Sequence, residues 1–537
     1  MPTLTIHTDS GPQQFAVGPG QALSRSLDSA GLPVRTGCRG VGACGLCLVQ
    51  IVAGAVNAPQ LNERIFLDDE QLAQGVRLAC QVVPAHDLEL VILSPAPKST
   101  WRRLVQSKRR RSQPLAPFPL ATLPPNVATP YGVAVDLGTT HLSLSLHDLS
   151  NGRWVAGRYG QNPQASVGAD VVTRLMAAVE APTHAQALSQ RVIDAICEAL
   201  WDLSIRDGID LQHVVRLTLV GNTAMLALLA GRNYDLLLQP SHWMRPIDCT
   251  PADTAAWGTA WGIHPQAQIH VAPILAGFIG SDLLAGVIAT ELCETPGASL
   301  LIDFGTNSEI ALWDGTVLWS TSAAGGPAFE GSGIRCGMPA EAGAIYHVTM
   351  QADVLACAVI GGGAPQGICG SGLVDLIACL LRSGTLTAIG KFAPAVPSQG
   401  FTVVHGEQAL SIPRADIDIF QRAKAAIGVG IQVLLDQAKL RVGDLQRICV
   451  SGAFGHALDI HNAQAVGLLP KVPVERVELY ANTALAGCED ALRSLLVLEQ
   501  MQRLGTQARI INLSQYPDFD QLFLEHLYLQ PLWEAER

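Results

Sequence analysis

The sequence predicts two kinds of structure in one chain: a small α+β domain with a β-grasp shape, followed by a larger α/β protein built from two lobes. Three observations lead to this prediction. Three cysteines lie in a glycine-rich loop at 36–49, a proline-rich basic stretch follows at 95–130, and the pattern Asp-x-Gly-Thr ends an apolar strand pattern twice, at Asp136 and at Asp303. We therefore expect one domain that carries the cysteine loop and two lobes that each carry one Asp-x-Gly-Thr turn.

Length and charge limit the classes of protein to consider. The chain has 537 residues, and at roughly 150 residues per domain this suggests three or four units. The formal net charge of −11 favours neither nucleic acid nor a membrane surface as a partner. No leader pattern is evident and the apolar runs are interrupted before spanning length, so we expect a soluble, cytoplasmic protein. The predicted divisions are a cysteine-loop domain at 1–94, a linker at 95–130, a first lobe (middle domain) at 131–297 and a second lobe (C-terminal domain) at 298–537.

The first domain should contain a small mixed sheet crossed by one helix. Strand patterns occur at 4–7, 14–17, 48–52 and 88–93, and a helical pattern lies near 21–30. Such a sheet would hold the cysteine loop at one rim, near the surface, where an electron can leave over a short distance.

The cysteine loop is typical of an iron–sulfur cluster site. Cys38, Cys44 and Cys47 form a C-x5-C-x2-C pattern, and Cys80 supplies a fourth thiolate at long range. Three local ligands and one remote ligand are the layout of plant-type [2Fe–2S] ferredoxins, although those have four residues in the first gap. Glycines let such a loop wrap tightly without Cβ clashes. The loop contains Gly37, Gly40, Gly42 and Gly45. A zinc site is the alternative, but zinc usually takes its ligands as two close pairs.

Nine further cysteines are scattered singly through apolar segments. Isolated cysteines of this kind behave as small apolar residues, and a disulfide framework is not expected in a reducing compartment. We expect most of them to be buried thiols of the core.

Residues 95–130 have the composition of a linker. Proline makes such a segment semi-extended rather than fully flexible, so it can carry the first domain across a sizeable gap. A cationic run at 108–111 lies within it. A solvated hinge and a docking strip for an acidic partner are the two interpretations of this run.

The two Asp-x-Gly-Thr turns are candidate phosphate-binding turns. In each, the glycine allows close backbone approach, hydroxyl and N–H groups can donate hydrogen bonds, and the aspartate can hold Mg2+ through water. One turn in each predicted lobe is what a two-lobed nucleotide clamp requires, although two unrelated hairpins would give the same pattern. The candidate residues are Asp136, Gly138, Thr139 and Thr140 in the first turn and Asp303, Gly305, Thr306 and Asn307 in the second.

A third element should hold the nucleoside, and two later stretches qualify. A buried strand pattern at 447–455 ends in glycines that let the backbone lie against a flat base or ribose. The candidates there are Ser451, Gly452 and Gly455. Before it, a helical pattern at 416–440 places small residues on one face. Lys424 in that helix can reach the nucleotide as a point charge, and a surface lysine is the alternative.

Further candidates lie between these landmarks. Asp282, at a helix start, can aim at Mg2+ or at the hydrolytic water, or it can simply cap the helix. Glu309, three residues after Thr306, can orient water or face solvent. A glycine-rich stretch at 321–334 should be an irregular loop that contacts phosphate or moves, because long loops are usually functional. Its candidates are Gly325, Gly326 and Glu330.

These features resemble the acetate and sugar kinase/Hsp70/actin superfamily, in which two ribonuclease-H-like lobes close on Mg-ATP. More closely, the order of cysteine loop, proline linker, DLGTT, DFGTN, AAGGPAFEGSGI, CGSGLVDL, AKAAIGVGI and SGAFG is similar to the ATP-dependent reductive activators of corrinoid proteins. This resemblance covers nearly the whole chain. It implies a [2Fe–2S] cluster on the four loop-domain cysteines, Mg-ATP at Asp136 and Asp303, and lobes that dock a corrinoid protein. The tail after Cys488 has no cysteine, which favours the branch with a single cluster.

The chemistry implied by the resemblance is one-electron reduction of Co(II) to Co(I) after accidental oxidation of the corrinoid. A plant-type cluster has a potential near about −400 mV, and the family's target couple lies lower. Each 100 mV of mismatch costs about 2.3 kcal/mol per electron, so coupled ATP hydrolysis or a change in cobalt ligation would offset the gap. Methyl transfer itself belongs to other proteins.

Other classes remain open at this point. A redox-regulated small-molecule kinase, a sensor whose cluster gates partner affinity, and an activator of another low-potential enzyme would share these motifs. The sequence identifies neither the corrinoid protein nor the upstream electron donor, and a homodimer is compatible with it.

Overall fold

The computed structural model describes residues 2–8, 11–18, 20–32, 34, 40, 42, 45, 47–95, 101–106, 115, 118–124, 127–351, 354–406, 409–452, 454 and 457–532. The chain divides into two compact units: 1–100 with 160–192, and 101–159 with 193–537. The three domain boundaries expected from the sequence stay predictions. Over the ranges just given, no helix has the length and apolar character that a membrane span requires.

The first domain forms the predicted mixed sheet. Its elements are β1 Thr3–Thr8, β2 Gly11–Ala16, α1 Leu23–Ser29, β3 Leu48–Ala53, α2 Glu63–Phe66, α3 Asp69–Ala73, β4 Val76–Leu78 and β5 Leu88–Ile92. The strand order is β2-β1-β5-β3-β4, and only the β1–β5 pair is parallel. The four expected strands and α1 are confirmed. The expectation of a single helix is wrong, since α2 and α3, with four and five residues, are too short to show a helical period.

The core of this domain lies between the sheet and α1. Leu4 and Ile6 alternate along β1 and are fully buried, as the period of a strand requires. Leu23 and Leu27, four residues apart on one face of α1, are also fully buried. This packing fixes the sheet that carries the cysteines.

The next segment builds a six-stranded sheet. Its elements are β6 Arg102–Arg103, β7 Tyr131–Leu137, β8 His141–Asp148, β9 Arg153–Gln161, α4 Val171–Glu180, α5 Pro182–Asp207, β10 Val214–Gly221, α6 Thr223–Ala230, α7 Thr254–Trp261, β11 Gln268–Val271 and α8 Ser281–Ala289. The strand order is β11-β10-β7-β8-β9-β6. Inner strands β7 and β10 are buried along almost their whole length, which explains why most of their residues are apolar.

The C-terminal part contains a second six-stranded sheet. Its elements are β12 Ala298–Phe304, β13 Ser308–Trp313, β14 Leu318–Ala323, β15 Ala344–Gln351, β16 Val354–Val359, β17 Gly367–Ile368, α9 Gly370–Arg382, β18 Phe401–Val404, β19 Leu410–Ile412, α10 Arg414–Ala438, β20 Leu445–Gly452, α11 Ile460–Ala465, β21 Val477–Leu479, α12 Thr483–Arg493, α13 Leu495–Gln507, β22 Arg509–Ile510 and α14 Phe519–His526. The strand order is β21-β20-β12-β13-β14-β22. The helix expected over 416–440 is confirmed as α10.

The two six-stranded sheets share the same order over five strands and differ only in the edge strands β6 and β22, which confirms the two-lobed α/β architecture. In each, a strand pairs in parallel with a strand from later in the chain: β7 with β10, and β12 with β20. The same strand forms an antiparallel hairpin with the next one, β7 with β8 and β12 with β13. Each Asp-x-Gly-Thr turn therefore lies at an equivalent point of its lobe.

Two segments of the predicted linker pack on the first six-stranded sheet. β6 pairs with the outer strand β9. Further along, the Phe118 ring is buried, with the Arg216 guanidinium 4.7 Å from its centroid, and Gln268 Nε2 in β11 donates to the Thr122 carbonyl at 2.9 Å. The cationic run at 108–111 lies outside the described residues.

Candidate functional site

The structure brings Cys47 and Cys80 together at one end of the β3–β4 pair. The register pairs Leu48 with Leu78, so one cysteine immediately precedes β3 where the other follows β4. Both side chains are buried, with 1% and 8% of their surface exposed. Gly40 lies beside them, since a Cβ atom added there would be 3.7 Å from the Cβ of Cys80. Two thiols and the loop backbone therefore converge.

The described glycines of the cysteine loop all have positive φ: 89° at Gly40, 80° at Gly42 and 67° at Gly45. Glycine adopts this conformation without strain, whereas other residues do so rarely. The tight turns expected of the loop are confirmed at these positions. Gly37, Cys38 and Cys44 lie outside the described residues, so the four-cysteine ligand set stays a prediction.

Gln81 places an amide donor beside the cysteine pair. Its Nε2 lies 3.5 Å from Cys80 Sγ and donates to the Gly40 carbonyl at 3.3 Å. Hydrogen bonds to sulfur are among the interactions that set the potential of an iron–sulfur cluster. Two buried thiols, a close glycine backbone and this donor fit a [2Fe–2S] cluster.

The four carboxylates predicted to be catalytic lie close to one another. Asp136 is in β7, Asp282 is in the first turn of α8, and Asp303 and Glu309 are register partners across the β12–β13 hairpin. Asp136 and Glu309 are each 8% exposed. Repulsion acts between Asp136 and Asp303, and between Asp282 and both of them. Carboxylates from both lobes therefore lie together in one buried site.

Burial is the main cause that raises the pKa of all four carboxyls, and mutual repulsion adds to it at three of them. The pKa of Asp136 and that of Asp282 rise to about 7. Repulsion from Asp282 and Asp303 helps to raise the pKa of Glu309 well above its ordinary value. Buried like charges of this kind are relieved by a cation, and carboxylate oxygens are the ligands that Mg2+ prefers. The residues present therefore fit Mg2+.

Glu330 joins the two Asp-x-Gly-Thr turns. Thr140 Oγ1 donates to Glu330 Oε2 at 3.0 Å, and Thr306 Oγ1 lies 3.2 and 3.1 Å from the two carboxylate oxygens of Glu330. Hydroxyl donors from both turns thus point at one group. A clamp that closes on a phosphate chain needs this convergence.

The turn glycines permit sharp reversals of the chain. Gly138 N–H donates to the His141 carbonyl at 3.0 Å, and a Cβ atom on Gly138 would lie 2.8 Å from that oxygen. On Gly305 a Cβ would lie 3.0 Å from the Asn307 carbonyl oxygen. Thr139 lies in the first of these turns. A side chain would therefore clash with the backbone at Gly138 and crowd it at Gly305.

The expectation of an irregular loop over 321–334 is wrong at two places. Its first three residues belong to β14, and Pro327–Glu330 forms a 3-10 helix. Gly326 has a φ of 74°, and a Cβ on Gly325 would lie 3.4 Å from the Ala423 carbonyl of α10. The short turn between strand and helix is what directs Glu330 to the two threonines.

Gly452 has a structural role that the sequence analysis did not predict. Its φ is 92°, and a Cβ there would lie 2.5 Å from Asp303 Oδ1. Ser451 is the register partner of Asp303 and accepts a hydrogen bond from Thr483 Oγ1 at 2.9 Å. These two residues make room for the Asp303 carboxylate, while their contact with a nucleoside stays a prediction. Gly455 lies outside the described residues.

Asp282 does not cap its helix, so that interpretation is wrong. The N-cap of α8 is Gly280, with no side-chain cap. Asp282 Oδ1 accepts from the Leu283 N–H at 2.9 Å, and a Cβ on Gly280 would lie 2.7 Å from this oxygen. The carboxylate is directed instead toward the other three.

Lys424 is not a surface lysine. It is 1% exposed, and its Nζ donates to the Tyr528 carbonyl at 2.6 Å. It lines a cavity of about 170 Å³ together with Gln432 and six residues of the segment 525–532, and no residue of the Asp-x-Gly-Thr turns is in that lining. Burial lowers its pKa to about 7. Its predicted contact with the nucleotide therefore has no support from this geometry and stays a prediction.

Two asparagines complete the carboxylate group. The sequence predicts an interlobe contact for the stretch that contains Asn222, but it places neither asparagine beside the carboxylates. Asn482 Nδ2 donates to Asp136 Oδ2 at 2.7 Å, and Asn222 hydrogen-bonds Glu309. Each also caps the helix that follows it. An asparagine between a strand and a helix is a recognisable capping signal. This signal could have drawn attention to both asparagines, although it does not indicate which carboxylates they contact.

Three family models match the chain: a 2Fe-2S iron-sulfur cluster binding domain at 6–85, the RACo middle region at 131–295, and the C-terminal domain of RACo, the ASKHA domain, at 297–534. The fold and the site thus define a protein in which a 2Fe-2S domain is joined to an ASKHA-type, two-lobed domain. The chain belongs to the RACo-type family, as the resemblance predicted. The 2Fe-2S match also favours a cluster over zinc at the cysteine loop.

Named relatives share most of this arrangement. Corrinoid activation enzyme RamQ of Eubacterium limosum is 32% identical over 384 residues, which are 67% of this chain and 63% of that protein. The [Co(II) methylated amine-specific corrinoid protein] reductase of Methanosarcina barkeri is 28% identical over 402 residues, 69% of this chain and 70% of that protein. A solved structure entitled reductive activator for corrinoid, iron-sulfur protein has a TM-score of 0.66, 24% identity and 99% coverage of both chains. The chain thus spans just under two thirds of the first relative, and the solved structure confirms the fold.

Proposed function

We propose that this protein is an ATP-dependent reductive activator of a corrinoid protein, which passes one electron from a [2Fe–2S] cluster to Co(II) and restores Co(I) for methyl transfer. The observation that carries the proposal is the convergence of both Asp-x-Gly-Thr turns on Glu330 in a chain that also has a 2Fe-2S domain. The two curated relatives are named for corrinoid activation and reduction, which supports the same substrate class.

The residues proposed to hold the cluster are Cys38, Cys44, Cys47 and Cys80. When bound, the cluster supplies a one-electron donor of low potential. The chain's own contribution is to bury the described thiols Cys47 and Cys80 and to place the Gln81 amide at Cys80 Sγ. The sheet register brings Cys47 and Cys80 to the same end of the β3–β4 pair, which supports their proposed role as ligands of one cluster.

The phosphate chain of ATP is proposed to lie between the two turns. Thr139, Thr140, Thr306 and Asn307 supply donors, with Gly138, Gly305, Gly325 and Gly326 allowing close approach of the backbone. Asp136 and Asp303 are proposed to hold Mg2+ through water, and Asp282 and Glu309 to orient the hydrolytic water and accept its proton. A carboxyl whose pKa is raised by burial and like charge is a better proton acceptor than an ordinary one. Ser451, Gly452 and Gly455 are proposed at the nucleoside.

ATP is needed because electron transfer from such a cluster to Co(II) is energetically unfavourable. Every 100 mV of shortfall costs about 2.3 kcal/mol per electron. The two lobes, which are proposed to dock the corrinoid protein, close on bound ATP, and hydrolysis then offsets this cost. The protein would act in the cytoplasm, where an upstream electron donor reloads the 2Fe-2S domain, and it can act as a homodimer or as a single chain.

The test is anaerobic reduction of a candidate corrinoid protein by the reduced full-length protein. We expect the Co(I) absorbance band to develop with Mg-ATP and not with ADP or without nucleotide. The Asp303→Asn variant, with its 2Fe-2S domain unchanged, should lose this ATP dependence. Equal Co(I) formation with and without ATP would overturn the proposal, and phosphorylation of a small molecule in the same mixture would favour a kinase instead.

A further inference from the structure

We propose that the cavity lined by Lys424 is a binding site for a small monocarboxylate. The carboxylate end of this ligand would pair with the Lys424 ammonium, and its short carbon chain would lie against Pro531 and Leu532. The site is separate from the proposed ATP site, since no residue of the Asp-x-Gly-Thr turns lines the cavity. This inference goes beyond the proposed function and depends on neither the cluster nor ATP.

The cavity lies between helix α10 and the last part of the chain that the structure describes. Lys424 and Gln432 belong to α10, whereas the rest of the lining belongs to α14 and the segment after it: Glu525, His526, Tyr528, Gln530, Pro531 and Leu532. Its volume is about 170 Å³, and a cavity of about 150 Å³ accommodates benzene. A ligand of about five or six non-hydrogen atoms therefore fits.

The Lys424 ammonium is the feature that indicates an anion. It is 1% exposed and donates to the Tyr528 carbonyl at 2.6 Å, although an ammonium has three donors. Burial is the single cause that lowers its pKa, to about 7, so no carboxylate of the described residues acts as its counter-ion. A buried charge is costly unless it is paired. An anion at Nζ would remove much of this cost.

The other titratable side chains of the lining do not compensate this charge. Glu525 is exposed and accepts a hydrogen bond from Gln521 Nε2 at 3.0 Å. Burial and repulsion by Lys424 lower the pKa of His526 to about 4, while Glu525 opposes this shift, so the imidazole is neutral at pH 7. Tyr528 is exposed. Lys424 is therefore the single positive charge of the described lining.

Backbone geometry holds the ammonium in place. Gly467 has a φ of 75°, and a Cβ atom there would lie 3.1 Å from Lys424 Nζ and 2.1 Å from the Gln530 carbonyl oxygen. The ammonium and the Gln530 backbone thus lie against the same glycine. Together with the Tyr528 hydrogen bond, this contact fixes Nζ between α10 and the segment 528–530. A group fixed in this way loses little conformational freedom when a ligand binds.

The walls of the cavity favour a monocarboxylate over other anions. One positive charge matches one carboxylate, whereas a phosphate dianion would leave a negative charge unpaired at a buried position. Gln432 Oε1 lies 2.7 Å from His526 Nε2, and this pair forms a polar wall. Pro531 and Leu532 supply apolar surface for a short carbon chain. Polar groups on one side and apolar groups on the other fix the orientation of a small ligand.

The probe for this site is propionate. Binding of the radiolabelled anion to the full-length protein is measured by equilibrium dialysis at pH 6, with propionamide and chloride as competitors. Propionamide has the same shape without the charge, and chloride has the charge without the shape. We expect one propionate to bind per chain and neither competitor to displace it at equal concentration. The affinity should fall by about tenfold per pH unit above pH 7, because the ammonium loses its proton.

Lys424→Met should weaken propionate binding at least about tenfold, since it removes the charge partner. Lys471→Met is the matched control: this lysine is exposed and outside the lining, so binding should be unchanged. Gln530→Glu serves if Lys424→Met does not fold, because it adds a competing carboxylate at the cavity without changing side-chain size, and it should also weaken binding. Absence of propionate binding to the wild type, displacement by propionamide, or equal binding by all variants would overturn the proposal.

Discussion

Asn482 Nδ2 donates a hydrogen bond to Asp136 Oδ2 at 2.7 Å, although 346 positions separate the two residues in the chain. Asp136 lies near the end of β7 in the first lobe, and Asn482 caps α12 in the second. The bond stabilises the ionised form of a carboxylate whose pKa burial raises to about 7. A contact between the lobes therefore controls the charge of a proposed Mg2+-phosphate residue.

Asn482→Ser should lower ATPase activity by about tenfold, since a charge-assisted hydrogen bond contributes roughly 1.5–3 kcal/mol. Serine can still cap α12, so urea unfolding should change little. Asn482→Ala is the matched variant: it should lose the same activity and about 1 kcal/mol of unfolding free energy as well, because the cap to the Leu485 N–H is also lost. Full activity in the serine variant would contradict the role given to this bond.

The Glu330 carboxylate accepts hydrogen bonds from the Thr140 and Thr306 hydroxyls, which a bound phosphate chain would otherwise accept. Glu330→Ala should free Thr140 and Thr306 and remove a negative charge from beside the phosphates, so we expect ATP to bind about tenfold more tightly, a gain of roughly 1.4 kcal/mol. Titration with a non-hydrolysable ATP analogue measures this affinity. Glu330→Gln separates the two causes. A gain in ATP affinity equal to that of Glu330→Ala would show that the negative charge is responsible, whereas a smaller gain would show that the occupied hydroxyl groups are. Weaker binding in both variants would contradict the expectation.

Asp303→Asn should have opposite effects on activity and on stability. Removal of one charge from a buried group of four carboxylates relieves repulsion, so the metal-free protein should gain about 1 kcal/mol of unfolding free energy. The same change removes a proposed Mg2+-phosphate residue, and Mg2+-dependent ATPase activity should fall at least about a hundredfold. Thermal unfolding in EDTA and steady-state ATPase assays measure the two effects. Loss of stability in EDTA would argue against a repulsive group at this position.

The carboxylates could be predicted from the sequence because their signals are local. Asp136 and Asp303 each end an apolar strand before a glycine turn, and a repeated strand-end pattern places equivalent residues at equivalent points of two lobes. Glu309 follows from the same hairpin, since it is the register partner of Asp303. The two-lobed fold was predictable for the same reason: each lobe repeats one order of strands over five of its six strands.

The contacts that sequence reasoning missed are long-range. Asn482 has a capping signal, but nothing near it in the chain indicates Asp136. The folded parts of the linker are a second case: composition describes its prolines, while the burial of Phe118 depends on Arg216 of β10. Periodicity and composition describe a residue's neighbours in the chain, and these pairs are neighbours only in the fold.

Lys424 shows the same limit and leads to a prediction about pH. Its helical position could not distinguish a surface lysine from a buried one, because the segment that covers it, 525–532, is about a hundred residues later in the chain. Burial lowers its pKa to about 7, whereas lysine in an unfolded chain titrates near about 10.4. Between these values the unfolded chain binds a proton that the folded chain has released.

Stability contributed by Lys424 should therefore rise as pH increases from about 7 to about 10, since the free energy of unfolding rises wherever the unfolded state binds more protons. Below this window both states are protonated, and the folded state carries the full penalty of a buried charge. The difference in unfolding free energy between wild type and Lys424→Met, measured by urea unfolding from pH 6 to pH 10, should grow in favour of wild type. Lys471→Met, at an exposed position, should show a constant difference. A constant difference for Lys424→Met as well would mean that the buried ammonium keeps its proton throughout, stabilised by the Tyr528 carbonyl.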